Sequence, residues 1–453
     1  MPGLMISAAH KSSGKTVVTT GLAAALTARG DPVQCFKKGP DYIDPMWLGM
    51  ASGRPCYNLD FNTMGQAELV AFYASRARDL TLIEANKGLY DGVATDGSDS
   101  NAELAKLLDV PVVLVVDSNG TTRGVAPLLL GYQAFDRNIR IAGVILNMVG
   151  SPRHEGKLRA AVEGYTDIPV LGAVPKTERL IIGERHLGLT TPAETGEVAA
   201  MIADFAKVVG ASVDLDRIQA IAATAGPLAA PMPPAAPRRG DRVRIAIARD
   251  TAFGFYYPDD LEAFAEAGAD LVAFDALKDR HLPDADGLFI GGGFPETQMQ
   301  ALAANTTLLA DIRQAVQGGL PTYAECGGLM YLCQRLIWND ASVAMAGVIP
   351  GDAVMQARPE GRGYARFTRT PDHPWERSDG PVNAHEFHYA KVVGLPEGTR
   401  FARRITRGAG VNGASDGVVM HNMIAGFCHL RNTAASPWVR EFVGFIRAHK
   451  AAG

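Results

Sequence analysis

The chain has 453 residues, of which 47% are hydrophobic and 20% charged, so we expect a folded globular protein with two or three domains. The net charge of −4 gives no basic footprint of the kind that nucleic-acid binding requires, and nucleic acid is not expected as a partner. The five cysteines lack metal-ligand spacing, and no signal-like region or membrane-length apolar run occurs, so we predict a cytoplasmic protein without a membrane partner.

The first half of the chain alternates short apolar runs with longer amphipathic stretches, a rhythm typical of a parallel α/β sheet. A helix is predicted over Val17–Ala28 and a crossover helix over Ala102–Leu108. The predicted strands lie near residues 3–7, 80–85, 110–117, 139–147 and 168–174. We therefore predict an α/β domain over residues 1–224.

A phosphate-binding loop follows the first predicted strand, with the sequence Lys-Ser-Ser-Gly-Lys-Thr at residues 11–16. In such loops backbone N–H groups and a helix N-terminus hold phosphate, the lysine reaches the terminal phosphate oxygens and the hydroxyl meets Mg²⁺. Ala9 stands where the usual pattern has its first glycine. The candidate nucleotide-binding residues are Lys11, Ser13, Gly14, Lys15 and Thr16.

Acidic residues near this loop are candidates for a metal and substrate site. Asp41 and Asp44 lie in a turn-rich segment, Glu84 ends an apolar strand, and Asp91 lies in a glycine-bracketed loop. A carboxylate at the end of such a strand is where an Mg²⁺ ligand is expected. Each acid could instead cap a helix or close a turn. Together with the phosphate loop, we predict that Thr16, Asp41 and Glu84 hold Mg²⁺.

Residues 225–240 are rich in proline and cannot continue a helix or a central strand, so we interpret them as a linker. A second α/β domain is predicted over residues 241–453. Its predicted strands lie near residues 243–248, 270–275, 286–290, 320–324, 346–350 and 382–392.

Cys326 follows a predicted strand and precedes a predicted helix, a placement that exposes a nucleophile where the helix dipole favours a thiolate. A distant histidine, His429, is the candidate general base and then acid. The backbone N–H groups of Gly292, Gly293 and Gly327 are candidates for an oxyanion hole. The alternative is that Cys326 is a small buried hydrophobe. A thiol site and a phosphate loop in one chain suggest that ammonia is released at one site and consumed by ATP-driven activation at the other.

These motifs together resemble the cobyrinic acid a,c-diamide synthase family, which includes the hydrogenobyrinic acid enzymes and comprises glutamine-dependent corrinoid amidases of cobalamin biosynthesis. The resemblance implies a first half similar to dethiobiotin synthetase and a second half similar to class I glutamine amidotransferases. It spans nearly the whole chain, through residues 11–16, 39–45, 58–60, 88–92, 102–108, 252–258, 291–296, 325–328 and 385–389.

The resemblance implies that ATP phosphorylates the a and c acetate carboxylates of the corrin ring, and that ammonia from glutamine then displaces phosphate. The implied partners are the corrinoid, glutamine and ATP, with Mg²⁺ as cofactor, and a homodimer is left open. Cys326 is implied to carry a glutamyl thioester and His429 to act as its base. The implied substrate-binding residues are Asp41, Tyr42, Asp44 and Asp91.

Two positions depart from the family pattern. Arg431 stands two residues after His429, where many class I glutaminases carry a glutamate that orients the histidine. We therefore expect a Cys-His dyad and slow or partner-gated glutaminase activity. The segment 84–88 also differs from the expected form, and Lys87 could contact phosphate or substrate or lie on the surface.

Several alternatives remain open from sequence. Cobyric acid synthase amidates other side chains of the same ring, and no residue distinguishes a cobalt-containing from a metal-free corrinoid. A nickel-sirohydrochlorin amidase or a cell-wall amidotransferase is a further alternative. A different class would be a non-catalytic P-loop switch with a degenerate glutaminase domain, against which the presence of Cys326 and His429 argues.

Overall fold

The structure is a computed structural model that describes residues 1–185, 188–228, 241–375 and 380–452. The chain divides into two units, Met1–Pro233 and Pro234–Gly453, and both are α/β. Most of the predicted linker, residues 229–240, lies outside the described residues. The exact domain limits therefore stay a prediction.

In the described part of the first unit, seven parallel strands form one sheet in the order β3-β2-β4-β1-β5-β6-β7. A short antiparallel pair, β8 and β9, lies outside this sheet. The strands are β1 (Gly3–Ala8), β2 (Val33–Lys38), β3 (Tyr57–Leu59), β4 (Leu80–Glu84), β5 (Val112–Asp117), β6 (Ile141–Val149), β7 (Val170–Pro175), β8 (Glu184–Arg185) and β9 (Gly188–Leu189). The helices are α1 (Lys15–Ala28), α2 (Ile43–Ser52), α3 (Gln66–Arg76), α4 (Asn101–Leu107), α5 (Val125–Phe135), α6 (Pro152–Tyr165), α7 (Val198–Ser212) and α8 (Leu215–Ala222).

The sheet of the first unit is covered on both faces, since β1, β2 and β4 are buried along their whole length. The five predicted strands and both predicted helices are confirmed, each with small shifts at its ends. The strands β2 and β3 were not predicted. The sequence of β2, Val-Gln-Cys-Phe-Lys-Lys, interrupts its apolar residues with polar ones that are nevertheless buried. The carboxyl ends of β1, β2 and β4 meet at one edge, where parallel α/β sheets bind ligands.

In the described part of the second unit, nine strands form a mixed sheet in the order β12-β10-β13-β15-β24-β23-β22-β19-β20. The first five pair in parallel and the rest are antiparallel. The strands are β10 (Val243–Ala248), β11 (Phe253–Phe255), β12 (Ala269–Phe274), β13 (Gly287–Ile290), β14 (Gly292–Gly293), β15 (Thr322–Glu325), β16 (Cys333–Trp338), β17 (Ala341–Ala344), β18 (Ile349–Met355), β19 (Gly361–Arg369), β20 (Val382–His388), β21 (Ala390–Val393), β22 (Phe401–Arg407), β23 (Ser415–Met420) and β24 (Met423–Gly426). The helices are α9 (Pro258–Glu266), α10 (Met299–Ala304), α11 (Thr306–Gln317), α12 (Gly327–Leu332) and α13 (Trp438–Ala452).

Two predicted strands of the second unit differ from the structure. The strand expected near 346–350 begins at Ile349 and extends to Met355. The strand expected over 382–392 breaks at Tyr389 into β20 and β21, which belong to different sheets. The strand β24 was not expected, and it pairs in parallel with β15 so that Glu325 is opposite Gly426. This pairing brings the residues after β24 to the end of the strand that precedes Cys326.

Candidate active sites

Cys326 lies in a sharp turn between β15 and α12. Its backbone has φ +48° and ψ −102°, a region that costs a non-glycine residue about 1–3 kcal/mol and that clusters at functional sites. Its N–H donates to Gly426 O at 2.7 Å, and its carbonyl accepts from Met330 N at 3.1 Å. The predicted strand–turn–helix placement is confirmed, and its geometry is that of a nucleophile elbow.

Three glycines allow close backbone approaches around this turn. A Cβ atom on Gly292 would be 2.6 Å from His429 Cε1, so the glycine lets the imidazole lie against the backbone. A Cβ on Gly293 would be 2.0 Å from Ala252 O, and one on Gly327 would be 3.1 Å from Gly293 N. The backbones of Gly293 and Gly327 therefore lie close together beside Cys326. Their assignment as oxyanion-hole donors stays a prediction.

His429 is buried, with its ring between polar and aromatic neighbours. Its Nδ1 is 3.3 Å from Glu325 Oε2, and its ring stacks on that of His385 with centroids 4.8 Å apart. Burial lowers the pKa of His429, but hydrogen bonds with Cys326 and Glu325 outweigh burial and raise it to about 10. The site therefore favours an imidazolium beside the thiol, which is the arrangement that activates a cysteine nucleophile.

The expectation of a dyad without a carboxylate is wrong. Arg431, at the position where a glutamate was sought, pairs with Asp259 at 3.1 Å and lies over the ring of Tyr257. A carboxylate does contact His429, but it belongs to Glu325, the residue immediately before the nucleophile. The sequence alone did not indicate it, because many class I glutaminases carry this carboxylate two residues after the histidine. The adjacent Glu-Cys pair at the end of a strand was the available signal.

In the first unit, the phosphate loop turns at Gly14, which has φ +82°. A Cβ there would be 2.2 Å from Asn147 Nδ2, whose amide donates to Ser13 O at 2.9 Å. Lys15 begins α1, and its Nζ donates to Lys87 O at 2.6 Å. The carbonyl of Lys87 thus contacts the loop lysine. Ser13 is buried, whereas Lys11 is exposed.

Carboxylates converge beside this loop at the ends of β2 and β4. Thr16 Oγ1 donates to Glu84 Oε1 at 2.8 Å. Lys37 Nζ is 2.7 Å from Glu84 Oε1 and 2.5 Å from Asp44 Oδ2, so one buried ammonium holds two carboxylates. Burial raises the pKa of Glu84 above its usual range, and Glu84 Oε2 is buried without a hydrogen-bond partner among the described residues. Lys37 is a site residue that sequence reasoning missed, although it lies in a segment that was singled out for its acids.

Asp41 and Asp91 both accept hydrogen bonds from nearby backbone N–H groups, as acids that cap a helix or close a turn do. Asp41 Oδ1 accepts from Ile43 N at 2.8 Å and from Asp44 N at 3.2 Å, at the start of α2. Burial and the charge of Asp44 raise the pKa of Asp41 to about 7. Asp91 Oδ2 accepts from Gly88 N at 2.9 Å and closes its loop. Tyr42, between Asp41 and α2, is buried. The ligand roles of these residues stay predictions.

Among the residues that the structure describes, no group of three His, Cys, Asp or Glu side chains is arranged to hold a metal ion. No helix in the described ranges has the length and apolar character that a membrane span requires.

Each half of the chain matches a known domain family. Residues 244–436 match the CobB/CobQ-like glutamine amidotransferase domain, and residues 61–182 match an AAA domain, a class that uses ATP. A solved structure, PurLQS from Thermotoga maritima, is 15% identical with a TM-score of 0.36, covering 46% of this chain and 99% of that one, a similarity too low to define a shared fold.

Curated proteins match over nearly their full length. A cobyrinate a,c-diamide synthase of Magnetococcus marinus is 47% identical, covering 99% of this chain and 97% of that protein. One of Methanosarcina barkeri is 37% identical, covering 98% of this chain and 95% of that protein. The chain belongs to the cobyrinate a,c-diamide synthase family.

Proposed function

We propose that the protein amidates the a and c acetate carboxylates of cobyrinic or hydrogenobyrinic acid, using ATP and glutamine, in cobalamin biosynthesis. The observation that carries the proposal is the 47% identity to a cobyrinate a,c-diamide synthase over 99% of the chain. The geometry supports it, because each unit contains the groups that its half of the reaction needs. The alternative is cobyric acid synthase, which amidates other side chains of the same ring.

In the second unit, Cys326 Sγ attacks the amide carbon of glutamine, and an S–C bond forms. Backbone N–H groups of Gly293 and Gly327 stabilise the resulting oxyanion. The C–N bond then breaks, and His429 delivers a proton to the leaving nitrogen so that ammonia departs. Water, deprotonated by His429, hydrolyses the thioester to glutamate and restores the thiol.

In the first unit, a carboxylate oxygen of the corrinoid attacks the γ-phosphorus of ATP, which gives an acyl phosphate and ADP. Ammonia then attacks the acyl carbon, phosphate leaves, and the amide remains after loss of a proton. Lys15 and the backbone of the phosphate loop hold the nucleotide phosphates. Asp41, Tyr42, Asp44 and Asp91 are proposed to bind the corrinoid around the reacting carboxylate.

The residues beside the phosphate loop fit an Mg²⁺ ion. We propose Thr16, Glu84 and Asp41 as its ligands, because Mg²⁺ prefers oxygen and is commonly held by one or two carboxylates together with phosphates. Glu84 Oε2, buried without a partner among the described residues, is the atom best suited to it. When bound, the ion would neutralise charge on the nucleotide phosphates. Titrating Mg²⁺ against the activity of Glu84→Gln tests the assignment.

The pKa of Lys15 predicts a pH dependence of ATP binding. Burial, and then the charge of Lys37, lower the pKa of Lys15 to about 8. Above that pH the free protein carries a neutral Lys15, whereas bound phosphates favour the ammonium. We expect ATP binding to take up a proton above pH 8, and the affinity to fall by up to about tenfold per pH unit there.

Calorimetry in two buffers of different ionisation enthalpy measures this uptake directly. The matched control is Lys15→Arg, whose guanidinium stays charged and should show no linked proton at Lys15. Equal heats in the two buffers at pH 9 for the unsubstituted protein would contradict the assignment.

The function itself is tested by mass spectrometry of cobyrinic and hydrogenobyrinic acids incubated with the protein, ATP, Mg²⁺ and glutamine. Two amidations of one corrinoid, and no more, are expected, and they also identify the preferred ring. Four amidations of an a,c-diamide would assign the protein to cobyric acid synthase. No amidation of any corrinoid would refute the proposal.

The proposal extends to a homodimer in the cytoplasm, where ATP and free glutamine are both available. Light scattering tests the dimer, with an expected mass of twice the 48.1 kDa of the chain.

A further inference from the structure

We propose that Glu325 is the positioning carboxylate of the glutaminase site, and that Tyr323 and Arg403 fix its orientation toward His429. The inference rests on the proposed glutamine hydrolysis. It adds three residues, Glu325, Tyr323 and Arg403, that act through His429 and do not themselves contact glutamine.

The strand β15 places the carboxylate. Side chains alternate between the two faces of a strand, so Tyr323 and Glu325 lie on the same face while Cys326 follows in the turn. Glu325 is buried, and its Oε1 accepts from Tyr323 Oη at 2.6 Å and from Leu430 N at 2.8 Å. Its Oε2 is 3.3 Å from His429 Nδ1. Both oxygens therefore have assigned partners, and the carboxylate cannot rotate away without breaking them.

The direction of the hydrogen bonds makes Glu325 Oε1 an acceptor. Arg403 donates to Tyr323 Oη at 3.0 Å, and a guanidinium has no acceptor, so the tyrosine proton must point to Glu325. Glu325 Oε1 thus accepts from Tyr323 and from the backbone of Leu430, which holds the carboxylate in one orientation. The remaining oxygen, Oε2, lies 3.3 Å from His429 Nδ1 and can accept its proton, which leaves Nε2 to exchange a proton with Cys326.

Arg403 is itself held in the buried interior. Its Nη2 contacts Tyr323, and its Nη1 is 3.0 Å from Asp416 Oδ2 and 3.2 Å from Cys428 O. Asp416 also accepts from the backbone N–H of Phe427 at 2.8 Å. The network therefore connects β15 with the segment that carries His429, and the groups that orient Glu325 also position the histidine backbone.

Two other polar residues near His429, Arg431 and His385, do not supply a carboxylate. Arg431 is a cation paired with Asp259, so it cannot accept Nδ1–H. Burial, together with the charges of His429 and Arg431, keeps the pKa of His385 well below its usual value, so its stacked ring is neutral and provides no negative charge to stabilise the imidazolium. A carboxylate supplied by the residue before the nucleophile thus replaces the one that other class I glutaminases carry two residues after the histidine.

The test is Glu325→Gln in the full chain, with two readouts. Glutamine hydrolysis is expected to fall by about 10²- to 10⁴-fold in kcat with little change in KM, because the amide cannot stabilise the imidazolium. The second readout is the rate of Cys326 alkylation by iodoacetamide between pH 6 and 9. That rate should be nearly flat in the unsubstituted protein, because His429, whose pKa is raised to about 10, stays protonated beside the thiol over this range. It should rise with pH in the variant, because the imidazolium loses the carboxylate that stabilises it.

A structural role alone would not change the shape of the alkylation profile. Glu325→Asp keeps the charge and should recover part of the loss. Tyr323→Phe keeps the ring and removes one hydrogen bond to Glu325, so it should lower kcat by about fivefold to tenfold and provides the test if Glu325→Gln does not fold. The matched control is Glu441→Gln, which removes a partly buried carboxylate paired with Arg369 and should leave glutamine hydrolysis within about twofold.

Glutamine hydrolysis within threefold of the unsubstituted rate in folded Glu325→Gln, or an alkylation profile that stays flat, would overturn the inference. So would unchanged kcat in Tyr323→Phe if Glu325→Gln does not fold. Failure of the underlying function looks different, because the unsubstituted protein would then not hydrolyse glutamine, or Cys326→Ala would hydrolyse it at the unsubstituted rate. The two failures are therefore distinguishable with the same assay.

Discussion

Replacing Cys326 with alanine is expected to abolish glutamine-dependent amidation, by on the order of 10⁴-fold or more, while amidation with ammonium salts stays within about twofold. The thiol forms the bond to the glutamyl carbon, and no neighbouring group can take over that step. Ammonia supplied directly bypasses this site and needs only the phosphate-loop unit. Product amides are counted by mass spectrometry with each nitrogen source.

Cys333→Ala is the matched control for this substitution. Cys333 is also a buried free thiol of the same core, but it begins β16 and does not lie in the turn before α12. We expect it to lose some stability through the small cavity and to keep its use of glutamine. Glutamine-dependent amidation by Cys326→Ala would show that nitrogen is released elsewhere in the chain. Loss of amidation with both nitrogen sources would point to a damaged fold.

Replacing Lys37 with methionine is expected to impair amidation from glutamine and from ammonia alike, by about 10²- to 10³-fold in kcat. The Lys37 ammonium pairs with Asp44 and Glu84 at the edge where the nucleotide phosphates are proposed to bind. Without it, two buried carboxylates face each other uncompensated. The same change should lower the free energy of unfolding by about 3–5 kcal/mol, which is typical when one partner of a buried ion pair is removed.

Thermal unfolding and steady-state assays with both nitrogen sources separate these two effects. Lys106→Met is the control, because Lys106 bridges Glu103 and Asp136 near the surface, where such pairs contribute about 0–1 kcal/mol. An unchanged rate of ammonia-dependent amidation in Lys37→Met would remove Lys37 from the proposed site. An unchanged glutaminase rate in the same variant is expected, since Cys326 lies in the other unit.

The parts of the two sites that the sequence predicted are local in the chain. The phosphate loop, the carboxylate of Glu84 at the end of β4, and the turn at Cys326 each depend on a few consecutive residues. Their patterns of glycine, apolar run and helix start are visible without knowing which strands are neighbours. The same holds for most strands of the first unit, which are continuous apolar runs.

The missed parts depend on strand order. Lys37 reaches Glu84 because β2 lies beside β4, and the polar residues in β2 concealed that strand. Glu325 reaches His429 because β24 inserts beside β15, and β24 is too short to stand out as an apolar run. Buried charges such as these are paired by tertiary contacts, so their partners follow from topology and not from local pattern.

The parallel pairing of β15 with β24 also sets the order in which the thiol site can be completed during synthesis. Glu325 and Leu430 are 105 positions apart, and the chain between them forms the antiparallel part of the sheet. Such distant pairings close late in folding, because a long loop must be ordered first. While β24 is still inside the ribosome, Cys326 has no histidine beside it. The thiol therefore acquires its base only after residue 429 has left the ribosome, when most of the second unit has been synthesised.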